Sequence, residues 1–277
     1  MKRILVFAAC MLVSLSANAE PFKIKTVSGY ETRADVHEAK GQARGITVVL
    51  LHGKSGNPGR SFYSGFYRKL RKAGITVVAP RMPYSDFDGD YKQTIEVIDV
   101  AVESAVKRGD RVVIAGHSLG ATIGLHYVGN HFRNEIIGVI PIAMGHSPDI
   151  AMGLLNETIG SVLAARKMVQ QGDGLKKKNF NDINAGRKST IRMTADTYLS
   201  FYDTEKFPKL ASVLPKIHIP VCWISGKQDR LRFVYEAEDN FNSIPGNQKS
   251  RYLEIEGSHL SVVSRSSEQV IDWLNTL

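Results

Sequence analysis

The amino-acid sequence predicts an α/β fold, with a mostly parallel sheet covered by helices on both faces. From residue 46 onward, short runs rich in β-branched residues alternate with amphipathic stretches, which is typical of strands joined by crossover helices. In addition, residues 112–121 (VVIAGHSLGA) lead from an apolar strand directly into a helix, with Ser118 between Gly116 and Gly120. A serine in such a sharp turn stands clear of the sheet edge.

The elements are predicted in chain order from these patterns. Residues 22–38 alternate less regularly and predict antiparallel strands at one edge of the sheet. The β-branched runs predict strands at residues 46–51, 75–79, 111–115, 136–142, 221–225 and 251–255. The amphipathic stretches predict helices at residues 62–73, 91–107, 119–129 and 262–277.

A helical insertion is predicted between Pro148 and Pro215, where the alternation stops. Helical patterns at residues 150–169 and 191–202 surround a polar middle, and no strand pattern is present. We expect a helical cap at about residues 149–215, beside the strand ends where open α/β sheets bind ligands. The alternative is that these helices only pad the core. Six apolar residues suit either an acyl slot or packing against the sheet: Met152, Leu154, Leu155, Ile159, Leu163 and Met168.

Residues 1–19 have the pattern of a secretory signal peptide. A basic start and an apolar run lead to a small-residue cleavage site, Ala17-Asn18-Ala19. We therefore expect cleavage after Ala19 and a periplasmic or secreted protein of residues 20–277, folded as a single domain. The apolar run is shorter than the roughly 20 residues that a membrane span needs. Lipid attachment at Cys10 would shorten it further, below the length of a signal.

The chain is basic, with a formal net charge of +9, of which the predicted signal peptide contributes two charges. The basic residues are spread over several helical faces and form no single stripe with interleaved aromatic residues. This distribution favours solvated surfaces over nucleic-acid binding. Attraction to an anionic surface or to an anionic substrate remains open.

Ser118 is a candidate nucleophile, and a serine needs a base that is itself oriented by a third group. Asp229 follows the predicted strand 221–225, and His259 follows the predicted strand 251–255. The carboxyl ends of parallel strands meet at one edge of a sheet, so we expect both side chains near Ser118. His259 would accept the serine proton and Asp229 would orient the imidazole; Asp203 is the alternative acid.

A glycine-rich loop at residues 51–59 follows an early strand and can aim main-chain N–H groups at an oxyanion. We assign the two donors to the backbone N–H groups of Lys54 and Leu119. Leu119 lies at a helix N-terminus, where the macrodipole favours negative charge. The loop lacks the glycine spacing and the Gly-Lys-Ser/Thr ending of phosphate-binding loops, which disfavours a phosphate cradle.

The remaining histidines receive secondary roles. His146, close to a strand end, is a candidate substrate contact, together with His52 and Gly53 of the glycine-rich loop. His117 flanks Ser118 and is expected to point away from the substrate. His126 is expected on a helical surface.

Four segments resemble the landmarks of the α/β-hydrolase family: His52-Gly53, Gly116-His117-Ser118-Leu119-Gly120, Gly226-Lys227-Gln228-Asp229 and Gly257-Ser258-His259. The resemblance covers about residues 45–277. It implies an eight-stranded sheet, a cap between the sixth and seventh core strands, and a serine mechanism without a cofactor. By position it implies Ser118 as nucleophile, Asp229 as acid, His259 as base, and Lys54 and Leu119 as oxyanion donors. Lys54 departs from the small, aromatic or apolar residue often found there, which indicates an anionic or polar substrate.

The sequence therefore predicts a serine hydrolase that cleaves a small-molecule carboxylic ester through an acyl-enzyme intermediate. A thioesterase, amidase or peptidase of the same fold remains open, as does a non-catalytic relative that kept the fold for binding. Haloalkane or epoxide chemistry needs an aspartate at the nucleophile position, so Ser118 argues against it. We expect a short or medium acyl group, no cofactor, no metal ion and no stable membrane insertion after signal removal.

Overall fold

The computed structural model describes residues 21–184 and 186–277, apart from the side chains of residues 152–155. The predicted signal peptide, residues 1–19, lies outside the described residues. In the described part of the chain, no helix combines the length and the apolar character needed to cross a bilayer.

Ten strands in the described part of the chain form one large sheet and one hairpin. In chain order they are β1 Phe22–Lys25, β2 Glu31–His37, β3 Ile46–Leu51, β4 Thr76–Pro80, β5 Arg111–His117, β6 Ile136–Ile142, β7 Lys177–Asn184, β8 Arg187–Thr194, β9 Cys222–Gly226 and β10 Arg251–Ile255. Eight of them form the large sheet in the order β1-β2-β4-β3-β5-β6-β9-β10, and β7 pairs with β8. Strand β2 is antiparallel to β1 and β4, and the other pairs of the large sheet are parallel. The predicted sheet and its antiparallel edge are confirmed.

Helices cover both faces of the large sheet, as predicted. They are α1 Ser61–Lys72, α2 Tyr91–Val106, α3 Leu119–Asn130, α4 Met152–Gln170, α5 Ala195–Tyr202, α6 Leu210–Val213, α7 Leu231–Val234, α8 Ala237–Asn242, α9 Ser261–Arg265 and α10 Ser267–Leu274. Successive strand residues face opposite sides: Val49 packs in the core that holds α2 and α3, and Val48 packs in the core that holds α1 and α10. The central strands are buried on both faces and therefore read as continuous apolar runs.

The predicted C-terminal helix is divided into α9 and α10. The side chain of Ser266 donates to the carbonyl of Val263 at 3.0 Å, and that of Ser267 donates to the carbonyl of Ser264 at 2.7 Å. Serine hydroxyls compete in this way with the backbone hydrogen bonds of a helix, so the serine-rich stretch ends one helix and begins the next.

The segment predicted to form a cap lies between β6 and β9, and its middle is a β-hairpin. The prediction that this insertion has no strand is wrong: β7 and β8 pair antiparallel along their whole length. On β7 the inward-facing, fully buried residues are Phe180 and Asp182. A buried charge within a polar strand hides the apolar alternation by which a strand is recognised.

The cap packs on the main core through aromatic side chains. Within the cap, Phe180 stacks on Tyr198 of α5 with ring centroids 4.4 Å apart. Between the cap and the core, Phe201 of α5 meets Phe87 at 5.4 Å. Met168 packs against the same core, whereas Ile159 and Leu163 on α4 are 44% and 57% exposed. The cap therefore both fills the core and supplies a hairpin beside the strand ends.

Candidate active site

Ser118 occupies the turn between β5 and α3, with φ 55° and ψ −121°. This left-handed backbone is strained for a residue with a side chain and is typical of a functional turn. A Cβ atom on Gly116 would lie 2.1 Å from the carbonyl oxygen of Gly120, and one on Gly120 would lie 2.3 Å from that of Leu51. Strand and helix can approach so closely only with glycine at both positions.

Asp229 and His259 meet at the carboxyl ends of β9 and β10. His259 Nδ1 lies 2.7 Å from Asp229 Oδ2, and the backbone N–H of Leu231 donates to Asp229 Oδ1 at 3.0 Å. The carboxylate is buried, and the imidazole remains partly exposed. Since the carboxylate accepts from Nδ1–H, the Nε2 atom is left as the proton acceptor of the ring.

Ser118 and His259 line the same cavity, which measures about 610 Å³ and which we call the site cavity. The main domain lines it with residues 53–56, Arg60, Phe62, Tyr63, His117, Ser118, His259 and Leu260, and the hairpin with Asn184, Arg187 and Ser189. A wider depression of about 750 Å³ near Lys40 and Arg111 lies at the amino ends of β3 and β5 and contains none of the candidate residues. The catalytic candidates therefore share one cavity, although the hairpin that borders it was not predicted.

The backbone N–H groups of Lys54 and Leu119 are free to receive an oxyanion. Neither donates a hydrogen bond to another described residue. The neighbouring N–H groups of the loop are already bonded. The Gly53 N–H donates to Tyr63 Oη at 3.0 Å. The Ser55 N–H donates to the Tyr84 carbonyl at 3.1 Å, and the Gly56 N–H donates to the Gly53 carbonyl at 3.1 Å. Two free donors near a candidate nucleophile are what an oxyanion hole requires.

The side chain of Lys54 is buried and does not offer its charge to the cavity. Its ammonium group donates to Asp182 Oδ1 at 2.5 Å, to the Ile183 carbonyl at 2.7 Å and to His146 Nδ1 at 3.3 Å. Burial tends to raise the pKa of Asp182, but the Lys54 charge and the Tyr202 hydroxyl outweigh it and hold that pKa below its usual value. The expectation that Lys54 recruits an anionic substrate is wrong, because Asp182 neutralises it.

The sequence model of the alpha/beta hydrolase family matches residues 48–263. The chain belongs to this family. No curated protein sequence matches the chain significantly.

Solved structures share the fold of this alpha/beta hydrolase at low sequence identity. Est1E from Butyrivibrio proteoclasticus has a TM-score of 0.66 at 18% identity and covers 93% of this chain and 98% of its own. A thermostable carboxyl esterase from Bacillus coagulans has a TM-score of 0.69 at 15% identity, with the same coverage. A monoacylglycerol lipase from Paleococcus ferrophilus has a TM-score of 0.64 at 18% identity and covers 89% and 99%. At these identities the likeness establishes the fold.

His146 and His52 are buried in this alpha/beta hydrolase and do not line the site cavity, unlike Gly53. His146 Nε2 lies 3.0 Å from the Phe201 carbonyl and must carry the proton, so Nδ1 accepts from Lys54. Burial, aided by the Lys54 charge, lowers the pKa of His146 to about 3. The predicted substrate contact is therefore replaced by a structural role at the junction with the cap.

His52 supports the glycine-rich loop through hydrogen bonds of both ring nitrogens. Its Nδ1 donates to the Gly53 carbonyl at 2.9 Å, and its Nε2 accepts from the backbone N–H of Met82 at 3.0 Å. Burial lowers its pKa to about 4, which keeps the ring neutral as this pattern requires. Its predicted contact with the substrate is likewise replaced by support of the loop that carries the Lys54 N–H.

His117 lines the site cavity, contrary to the prediction that it points away. Its Nε2 lies 2.9 Å from the His259 carbonyl, and its Nδ1 lies 3.0 Å from Tyr63 Oη, which in turn accepts from the Gly53 N–H at 3.0 Å. Burial and the neighbouring His259 lower the pKa of His117 to about 3. A neutral ring with its proton on Nε2 therefore links the His259 backbone to the loop.

Tyr63 carries no motif that would identify it from sequence, because its role depends on where α1 packs.

Asp203 can be dismissed as the alternative acid, since both of its oxygens accept from Arg166, at 2.6 and 2.7 Å.

Proposed function

We propose that this alpha/beta hydrolase is a serine hydrolase that cleaves a carboxylic ester, with Ser118 as nucleophile, His259 as base and Asp229 as its orienting partner. One observation carries the proposal. The imidazole of His259, hydrogen-bonded to the buried Asp229, borders the same cavity as a serine in a strained strand-to-helix turn. A binding protein has no need of this combination.

In the first half of the reaction, Ser118 Oγ attacks the ester carbonyl carbon and passes its proton to His259 Nε2. The carbonyl oxygen becomes an oxyanion and accepts hydrogen bonds from the N–H groups of Lys54 and Leu119. Asp229 stabilises the imidazolium. When the tetrahedral intermediate collapses, the bond to the alcohol oxygen breaks and His259 returns the proton to that oxygen.

In the second half, water attacks the acyl-enzyme carbonyl and gives one proton to His259. Collapse of the second tetrahedral intermediate breaks the bond to Ser118 Oγ, which recovers its proton, and releases the carboxylic acid. A thioester or amide would follow the same steps with a thiol or an amine as leaving group.

A fluorophosphonate probe tests the assignment. The protein should be labelled on the peptide that contains Ser118, as read by mass spectrometry, and Ser118→Ala should not be labelled. Ser55→Ala is the matched control, because Ser55 lines the same cavity and its loss should leave labelling intact. Equal labelling of the wild type and Ser118→Ala would reject the nucleophile.

A further inference from the structure

Two arginines border the site cavity from opposite sides. Arg60 precedes α1 on the main domain, and Arg187 begins β8 on the cap hairpin. Both are exposed. Within residues 21–184 and 186–277, neither guanidinium group forms an ion pair, and no aspartate or glutamate lines the cavity. The cavity therefore holds two cations without a protein counter-charge.

Two arginines outside the cavity show the contrasting, neutralised arrangement. Arg166 pairs with Asp203, and Arg232 lies 2.7 Å from Glu254. An uncompensated guanidinium group in a concave site focuses positive potential there, and its planar fork matches a carboxylate or phosphate group. Arg60 and Arg187 are thus suited to an anion in the cavity.

The described part of the cavity lining contains few aliphatic side chains. Its large apolar side chains are Phe62 and Leu260, and the described hairpin residues that line it are Asn184, Arg187 and Ser189. The α4 residues Ile159 and Leu163, which the sequence offered for an acyl slot, are exposed and do not line it. The side chains of Met152, Leu154 and Leu155, also offered for an acyl slot, lie outside the described residues.

Resting on the function proposed above, we propose that the ester carries an anionic group, a carboxylate or a phosphate, which Arg60 and Arg187 bind while the carbonyl lies at Ser118. The anion can belong to the acyl part or to the alcohol part of the ester. The two parts lie on opposite sides of the scissile bond, so matched esters distinguish them.

The test compares two pairs of esters. For the acyl part, 4-nitrophenyl hydrogen glutarate is paired with 4-nitrophenyl pentanoate, which matches it in acyl length. For the alcohol part, 4-acetoxybenzoate is paired with 4-acetoxybenzamide. Each kcat/KM is divided by the rate constant for attack of hydroxide on that ester, because the free carboxylate of the glutarate ester accelerates its own spontaneous hydrolysis, and the anionic-to-neutral ratio is formed. We expect a ratio of about ten or more in at least one pair.

The variants are Arg60→Gln, Arg187→Gln and their combination, which should bring the ratio close to one. Arg192→Gln is the matched control, because it removes the same charge from the same hairpin at an exposed position outside the cavity. It should keep the wild-type ratio. A ratio near one in both wild-type pairs, or a ratio that the double variant leaves unchanged, would overturn the anionic subsite.

Binding measurements distinguish a failure of this inference from a failure of the proposed function. Calorimetric titration of Ser118→Ala with 4-acetoxybenzoate and 4-acetoxybenzamide measures the preference without turnover. If the wild type hydrolyses none of the esters but the anion binds more tightly and depends on both arginines, the subsite is supported and the esterase proposal fails. If neutral esters are hydrolysed with no anionic preference in rate or binding, the subsite fails and the esterase proposal stands.

Discussion

The buried ion pair of Lys54 and Asp182 should be a large contributor to the stability of the cap. Both side chains are at most 4% exposed. In Lys54→Met, the Asp182 carboxylate loses its counter-ion and keeps the Tyr202 hydroxyl, at 2.7 Å, as its close donor. Removing one partner of a buried pair costs about 3–5 kcal/mol, because the other charge is left uncompensated. That is a large share of the roughly 5–15 kcal/mol that stabilises an ordinary domain.

The measurement is the free energy of unfolding from urea titration of Lys54→Met, Asp182→Leu and the double variant. Each single variant should lose about 3–5 kcal/mol, and the double variant should lose clearly less than the sum of the two. Limited proteolysis reports on the hairpin, because its β7 strand is attached through Asp182 and Ile183. Cleavage there should accelerate in the single variants.

An exposed pair provides the control. Lys25 and Glu31 lie 3.2 Å apart with side chains 73% and 68% exposed, so Lys25→Met should leave the urea midpoint unchanged. Losses below about 1 kcal/mol in both single variants at the buried pair, or strict additivity in the double variant, would refute the reasoning that the pair acts as a coupled, desolvated unit.

Three further predictions concern catalysis and pH. Asp229→Asn should lower kcat by roughly 10⁴-fold and His259→Ala should abolish turnover, both measured on an activated ester. Tyr63→Phe removes the hydroxyl that bonds His117 and the Gly53 N–H, so kcat should fall while KM changes little, and stability should fall by about 1–3 kcal/mol. Burial lowers the pKa of His126 to about 3 in the folded protein. Below pH 6.5 this histidine therefore binds a proton in the unfolded chain but not in the folded protein. The stability that neutral His126 contributes above pH 6.5 is lost as pH falls, by about 2 kcal/mol between pH 7.5 and 5. His126→Leu should reduce this loss in urea titrations at the two pH values.

Control variants and contradicting outcomes accompany these three predictions. For the pH effect, an unaltered slope in His126→Leu would contradict the assignment. Because neither ring nitrogen of His126 has a hydrogen-bond partner among the residues that the structure describes, the leucine variant should also be at least as stable as the wild type at pH 7.5. Tyr67→Phe changes another buried tyrosine of α1, whose hydroxyl donates to the Pro58 carbonyl, and should spare kcat. Full activity in Asp229→Asn would require another acid.

The strands were predictable because the parallel sheet buries its central strands on both faces. β3, β6 and β10 begin and end at the predicted residues. Parallel topology then brings the residues after each strand to one edge, which is why Asp229 and His259 could be placed together although 30 residues separate them.

Contacts between the cap and the loop could not be predicted in the same way. Lys54 and Asp182 lie 128 positions apart, and nothing in the local sequence of either indicates the other. The wrong predictions for individual side chains have the same cause. Lys54, His126 and His146 are polar residues that look solvent-facing from local pattern, and tertiary packing buries all three.

Lys54 connects the glycine-rich loop with the cap hairpin. Its backbone N–H is one of the two free donors near Ser118, and its side chain fastens β7, the strand that leads into the turn before Arg187. The hairpin and the proposed oxyanion donor are therefore connected by the same short segment of chain. A rearrangement that broke the pair with Asp182 would loosen the contact between the glycine-rich loop and the hairpin that carries Arg187. Since both side chains are at most 4% exposed, solvent cannot readily replace the lost partner, and the buried pair holds the hairpin against the loop.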